Sequence, residues 1–395
     1  MDTSPLRIIE VLRAPVGGLF RHVADLTAEL AARGHEIGIV ADTEGDARTD
    51  EKFAALAPLA HLGIHRLPMP RLLGAADLTT PLAIRNLARR LEVDLIHGHG
   101  AKGGLEARLV RAIGGAKAAL YTPHGGVLHY RPGSLQGRLF RSLECGMLGH
   151  TDAVIFESEF ARRAFIDSIA PPPCPAPVIH NGLAEAEFVP VTPAPDAKDF
   201  VYIGEFRELK GVRYLLQALT GIRSDGRPAT LVMAGGGPDM DMFRQLVATL
   251  GLGDRVELAG VRPAREMFGR GRVVVVPSLA ESLPYVVLEA AAAGRPVIAT
   301  KVGGIPEIFG PTAESLVPPA DTPALVRAMQ AALVSPAEAE AEATRRLAFI
   351  RHRFSVAHMA DEIEALYRQV LGAETSHKAQ PSPLWGEGGR QAGEG

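Results

Sequence analysis

Two carboxylates, two cations and a histidine sit where this chain passes from apolar strand into loop. Glu281 and Glu289 lie eight residues apart in VVVVPSLAESLPYVVLEAAAAGRPVIATKVGGIPEI, which runs from Val273 to Ile308. The apolar run reads as a strand ending at Pro277-Ser278, and Pro284 opens a helix. Glu281 therefore falls in the loop at a strand's carboxyl end, the place where open α/β sheets bind ligands. Glu289 falls within Val286–Ala293, a helix apolar nearly all round, so its carboxylate is expected to be buried and to need hydrogen-bond donors. Ligand hydroxyls would supply them. The helix start at Leu283, Pro284, Tyr285 and Val286 favours a phosphate through its free backbone N–H groups, to which Pro284 itself contributes none. A solvated loop acid followed by a helix-surface acid fits the same spacing.

The second set is Gly204-Glu205-Phe206-Arg207-Glu208-Leu209-Lys210-Gly211, directly after the strand FVYIG. Arg207 and Lys210 stand where a strand hands over to a helix, and two cations there suit a diphosphate. A solvated turn with Glu205 and Glu208 as ion-pair partners is the plainer alternative. Gly17-Gly18 follows the first strand and precedes a helix expected to begin near Leu19; glycine there lets backbone approach a ligand. It is no dinucleotide fingerprint, because G-x-G-x-x-G is absent. Gly235-Gly236-Gly237-Pro238 reads the same way in the second half. His124, in Tyr121-Thr122-Pro123-His124-Gly125-Gly126, ends another strand and is poised at a ligand-facing loop or caps local backbone. His97 and His99 would share one face of a strand, but no further zinc ligand is evident, and no metal site is expected. Asp239-Met240-Asp241 has the look of a divalent-metal pair; it also starts a helix, where acids are favoured by capping and by the dipole, and is read as structural.

These positions need strands and helices in alternation to hold them. Candidate strands are Arg7–Leu12, Glu36–Val40, Asp94–His97, Ala119–Thr122 and Val154–Glu157, and after residue 199 the pattern restarts with Phe200–Gly204, Thr230–Ala234, Val256–Leu258, Val273–Val276 and Val297–Thr300. Fully apolar strands alternating with helices imply parallel sheets covered on both faces. The expected organisation is an α/β domain over 1–188, a Pro-rich linker over 189–198 and a second α/β domain over 199–354. Residues 355–371 are apolar at helical spacing and should form a docked helix; the Gly-, Pro- and Ser-rich remainder, 372–395, should be disordered. A net charge of −3 and 22% charged residues give no bulk signal for nucleic acid, and none is expected as a partner. Two distant cysteines, Cys145 and Cys174, fit a reduced cytoplasmic protein. The N-terminal apolar run is too short for a signal peptide, and no uncharged run approaches the roughly 18–20 residues of a membrane span.

Taken together, the ordered motifs resemble glycosyltransferase family 4. They are the early Gly-Gly loop, D-L-I-H-G-H, T-P-H-G, the V-I-H-N-G turn before the linker, G-x-x-R-x-x-K-G, A-G-G-G-P, L-A-G-V and P-S-x-x-E-S-L-P-Y-V-V-L-E, and they extend to about residue 371. The resemblance implies a GT-B fold, with two Rossmann-like, doubly wound parallel-sheet domains facing across a cleft, and a retaining hexosyltransferase. Arg207 and Lys210 would hold the donor diphosphate, Glu281 the donor-sugar hydroxyls, Glu289 the ribose, and His124 the sugar from the facing domain. Gly17 and Gly18 would close over sugar and phosphate, Gly235 and Gly236 would line the donor site, and Val261 would lie near the base. The final helix would cross back to brace the first domain. The chain departs from the common pattern in two places: Glu205 stands where an arginine often follows the glycine, and Ala184 where an aspartate often follows the N-G turn.

The resemblance further implies a nucleotide-diphosphate sugar as substrate, with UDP-sugar favoured over GDP-sugar, no cofactor, and a carbohydrate or lipid-linked acceptor in cell-surface polysaccharide or glycolipid synthesis. Acceptor choice is expected to lie in the loops Leu67–Leu82 and His129–Arg138. The segment Arg131–Leu148 mixes arginines with leucines; it reads either as peripheral contact with an anionic inner membrane or as a core helix with snorkelling arginines. Competing readings are a sugar-nucleotide epimerase or hydrolase of the same fold, and a non-catalytic nucleotide-sugar-binding protein.

Overall fold

The computed structural model describes residues 4–45, 47–72, 74–125 and 135–378. Near-continuous runs of β-branched and leucine side chains make strands that must be covered on both faces, and two such sheets form. The first contains β1 (Arg7–Leu12), β2 (Glu36–Asp42), β3 (Ile64–Leu67), β4 (Leu95–His99), β5 (Ala118–Thr122) and β6 (Ala153–Val154), in the spatial order β3-β2-β1-β4-β5-β6. All its pairings are parallel. A small antiparallel hairpin joins β8 (Arg223–Ser224) to β9 (Arg227–Pro228). The second sheet contains β7 (Lys198–Ile203), β10 (Leu231–Ala234), β11 (Val256–Gly260), β12 (Gly271–Val276) and β13 (Val297–Ala299), in the order β11-β10-β7-β12-β13, again all parallel.

Each sheet reverses its strand order once, between β1 and β4 in the first and between β7 and β12 in the second. These are the switch points where diverging loops leave a crevice at the strands' carboxyl ends. This is the GT-B arrangement expected from the motifs. The Pro-rich stretch between the sheets forms neither helix nor strand, yet it is docked: the Val191 N–H donates to the Ala293 carbonyl at 2.9 Å, and the Ala194 N–H to that of Gly269 at 2.8 Å.

The helix Val356–Lys378 returns to the first sheet. Met359, Ala360, Ile363, Leu366, Tyr367 and Val370 pack with Ile8, Leu26, Leu30, Leu95 and Leu120 in one buried cluster. It extends past the expected end at Leu371, so the start of the stretch expected to be disordered is helical; 379–395 lies outside the described residues. Three other expectations are corrected. The first helix begins at Gly17, so both glycines belong to its first turn and do not precede it. The strand expected over Val154–Glu157 is only two residues long, because beyond it the chain pairs with Val178 through an isolated bridge. β3 was not anticipated: its four residues are half-buried at a sheet edge and include His65 and Arg66, which break the apolar run.

Candidate active site

Two loops from the second sheet's switch point build one wall. After β7 the chain turns through Gly204–Gly211, and after β12 it turns through Pro277–Pro284 into the helix Tyr285–Ala292. Gly211 holds φ at +68°, and a Cβ there would lie 1.9 Å from the Pro277 carbonyl oxygen, so only glycine lets these loops touch. The contact brings Lys210 to Glu281. The Lys210 Nζ donates to both carboxylate oxygens at 2.7 and 2.9 Å, and the Ser278 hydroxyl donates to Oε1 at 2.6 Å. Gly303-Gly304 backs this loop, with the Gly304 N–H on the Ser282 carbonyl at 2.6 Å.

The facing wall comes from the first sheet. His124 follows β5 with φ at +47°, a conformation costly for a residue with a Cβ and the kind of strain that active sites retain. Its Nδ1 pairs with Glu157 Oε2 at 2.8 Å, and its Nε2 lies 3.2 Å from His99 Nδ1. His99 in turn meets Glu10 Oε2 at 2.6 Å, and His97 bridges Tyr367 of the returning helix at 2.7 Å and Thr122 at 2.8 Å. His22 donates from Nδ1 to Asn181 Oδ1 at 2.9 Å and has no partner for Nε2 among the described residues. Burial holds His22, His97 and His99 neutral, His22 down to about 3, and the neighbouring His124 adds to the effect on His22. Burial also lifts the Glu10 carboxyl to about 7. Glu157 moves the other way: burial opposes its charge, but the hydrogen bonds from His124 and Ser282 outweigh that and lower it.

Between the walls lies a cavity of about 400 Å³ lined by Gly18, Leu19, His124, Glu157, Asn181, Lys210, Glu281, Ser282, Leu283, Pro284, Tyr285 and Val286. The Ser282 hydroxyl reaches across it to Glu157 Oε1 at 2.5 Å. Gly18 approaches the Tyr285 ring so closely that a Cβ would sit 3.1 Å from it. A roomier hollow of about 510 Å³ under Val273, Ile298 and Arg346 holds none of the residues singled out from sequence, so size does not choose the site.

The structure therefore gathers His124, Lys210, Glu281, Gly18 and the Leu283–Val286 turn around one space, with Gly17 beside it in the first helical turn. It sets the others apart. Arg207 is about half exposed and lies 3.2 Å from Glu205, outside the cavity lining. Gly235, Gly236 and Val261 lie outside that cavity's lining: Val261 is exposed, a Cβ at Gly236 would lie 3.3 Å from its side chain, and the Phe206 N–H donates to the Gly236 carbonyl at 2.9 Å. Glu289 is only partly buried, and its donor is a protein side chain. Arg21 from the first helix pairs with it, stacks 4.5 Å above the Tyr285 ring and holds both oxygens of Glu187 at 2.6 Å. Burial raises Glu289 despite the opposing arginine. Arg21, His22, Glu157 and Ser282 were not singled out from sequence. Glu157 ended an expected strand, which was a signal; Arg21 carried none.

As to metals, among the described residues His22, His99 and His124 each offer a ring nitrogen within 4.8 Å of the others', and a Glu10 carboxylate oxygen lies within the same span of ring nitrogens of His97 and His99. Asp239 instead accepts the Glu208 N–H at 2.8 Å, and Asp241, in the first turn of the helix Met240–Thr249, is exposed and pairs with Arg244 at 3.1 Å.

Residues 16–186 match the family described as Glycosyltransferase Family 4, and residues 197–335 match Glycosyl transferases group 1. The chain belongs to glycosyltransferase family 4. This glycosyltransferase is 28% identical over 301 residues to the phosphatidylinositol N-acetylglucosaminyltransferase gpi3 subunit of Schizosaccharomyces pombe, covering 74% of the present chain and 65% of that subunit, just under two thirds. Its fold is shared with sucrose-phosphate synthase from Thermosynechococcus elongatus (TM-score 0.77, 24% identity, 93% and 100% of the two chains). It is shared too with Anabaena HepE in complex with UDP and glucose (TM-score 0.74, 18% identity, 92% and 100%).

Proposed function

We propose that this glycosyltransferase moves a hexose from a nucleotide-diphosphate sugar, UDP-sugar in preference to GDP-sugar, to a hydroxyl acceptor with retention of anomeric configuration. The carrying observation is the cavity in which Lys210 and Glu281 of one sheet face His124 of the other. Lys210 neutralises the departing diphosphate, aided by the first-turn N–H groups at Tyr285 and by Arg207 if its side chain swings in from solvent. The Lys210–Glu281 pair then loosens, and Glu281 accepts from donor-sugar hydroxyls. Gly235, Gly236 and Val261 support the base, and Glu289 takes the ribose after parting from Arg21.

Retention is supported by a count of partners. Glu157 and Glu281 are the carboxylates lining the cavity among the described residues, and both oxygens of each already accept hydrogen bonds. Glu157 stays held by His124 and Ser282, and Glu281, once released by Lys210, is taken up by donor-sugar hydroxyls, so neither is assigned as a nucleophile. The reading is therefore same-face attack, with the leaving phosphate oxygen taking the acceptor's proton. No metal is assigned to the diphosphate, since Lys210 supplies the charge. No described helix is long and apolar enough to cross a membrane. We place the enzyme in the cytoplasm, serving cell-surface polysaccharide or glycolipid synthesis. Peripheral membrane contact would use the helix Leu135–Met147, which turns Leu139 outward and buries Glu144 against Arg108 at 2.7 Å.

The test is a thermal-shift and turnover screen of purified protein against UDP- and GDP-sugars, followed by NMR of the product anomer. Stabilisation by UDP-sugars and an axial product from an axial donor are expected; an inverted product would overturn the mechanism, and no stabilisation by any nucleotide sugar would overturn the donor assignment.

A further inference from the structure

A second cavity, of about 350 Å³, opens beside the first and shares Val16, Leu19 and His124 with it. Its remaining lining includes Arg13, Arg71, His99 and Lys102 and, among the described residues, no carboxylate. Arg13 directly follows β1, where its backbone carbonyl accepts the Asp42 N–H at 3.0 Å, and it lines the cavity. Arg71 belongs to the Leu67–Leu82 segment and is exposed. Among the described residues neither guanidinium has a hydrogen-bond or ion-pair partner. Lys102, by contrast, is paired with Asp77.

Surface arginines usually find carboxylates or spread apart. Two guanidiniums on one concave wall, with no acid among the described residues of its lining, repel each other and concentrate positive potential in the cavity. Arginine's planar fork suits a bidentate oxyanion. The nearby Glu106 does not cancel this charge, because burial and the adjacent Asp77 raise its carboxyl to about 8. The cavity's size lies in the range that holds a small ligand, and its position decides which ligand. It meets the donor cavity at His124, where an acceptor hydroxyl would have to stand.

We propose that this cavity receives the phosphate or diphosphate of an anionic sugar acceptor, with Arg13 and Arg71 as its binding residues. The proposal rests on the neighbouring cavity being the sugar-donor site. The same chemistry could arrive as a soluble sugar phosphate or as the diphosphate of a lipid carrier.

Calorimetry with inorganic pyrophosphate, on protein saturated with UDP, measures the site directly, since UDP blocks the donor side. UDP binding is recorded first, so a failure of the donor reading shows separately. One pyrophosphate site is expected. Its Kd should rise by about 10-fold or more in Arg13→Gln/Arg71→Gln, the loss of two charge-assisted contacts, while UDP affinity stays the same. Because both side chains lack partners, the variant should melt as the wild type does. Turnover is then compared for free sugars, their monophosphates, and phosphatidylcholine vesicles carrying a polyprenyl-diphosphate sugar. Saturation by the monophosphates identifies a soluble acceptor, and saturation only by the vesicles a lipid-linked one; both support the proposal. Absence of pyrophosphate binding in the UDP-bound wild type, equal binding by the double variant, or equal use of free and phosphorylated sugars would overturn it.

Discussion

The two walls of the cleft are built in opposite ways. The second-sheet wall is almost one stretch of chain: Ser278, Glu281, Ser282 and Tyr285 come from a single strand–loop–helix unit, and only Lys210 is added from another loop. The first-sheet wall is assembled from β1, the first helix, the ends of β4, β5 and β6, the Asn181 turn and the returning helix; hydrogen bonds link His97, His99, His124, Glu10, Glu157 and Tyr367, and His22 is held separately by Asn181. The difference teaches where charge is managed. The second wall exposes a paired cation and anion that a ligand can separate. The first buries its titratable groups, and burial strips charge from most of them.

The largest expected effect comes from breaking the contiguous wall at its acid. Glu281→Ala should leave UDP binding by calorimetry near wild type and lower kcat by roughly 10²-fold or more, because it acts on the sugar as charge develops. Normal turnover would remove Glu281 from the reacting centre.

Next in size is the cross-domain contact. Glu289→Ala should weaken UDP and UDP-sugar alike, by ~2–3 kcal/mol for a lost charged hydrogen-bond partner, and act mainly on KM. Arg21→Ala sharpens this, because it removes the side chain that now occupies Glu289. UDP should then bind as tightly as wild type or severalfold more tightly. If both variants bind UDP like wild type, Glu289 does not hold the ribose.

A smaller effect separates buried from exposed acids through pH. The folded Glu106 carboxyl is raised to about 8 from 4.5, mostly by burial and then by Asp77. Between those values the folded chain holds more protons than the unfolded one, so this group's contribution to stability falls as pH rises. Measured by thermal melting from about pH 5 to about pH 9, wild type should lose Tm relative to Glu106→Gln. Parallel curves would mean that Glu106 ionises normally.

The smallest effect concerns metal. Activity should survive excess EDTA, and Asp241→Asn should change turnover little, since Asp241 is exposed and serves its own helix start. Complete loss with EDTA, restored by a divalent ion, would shift attention to the His22, His99 and His124 trio.

What the sequence determined by itself is what short-range physics controls. Apolar runs marked ten of the eleven strands in the two sheets, the restart after the Pro-rich stretch marked the second sheet, and Glu281 and the Tyr285 helix start were legible because they neighbour one another along the chain. β3 escaped because an edge strand need not be apolar. Only the tertiary structure decided which distant groups meet. Arg21 and Glu289 are 268 residues apart, and Tyr367 and Glu10 are 357 apart. Their contacts arise because two doubly wound sheets face each other and the last helix returns to the first. No local periodicity encodes that geometry, so Arg207 could be expected in the site and lie outside it, while Arg21, unremarked in sequence, came to hold the carboxylate assigned to the ribose. Arg13 and Arg71 became a shared cationic wall by the same cause: the crevice at a switch point gathers strand ends that the chain keeps far apart.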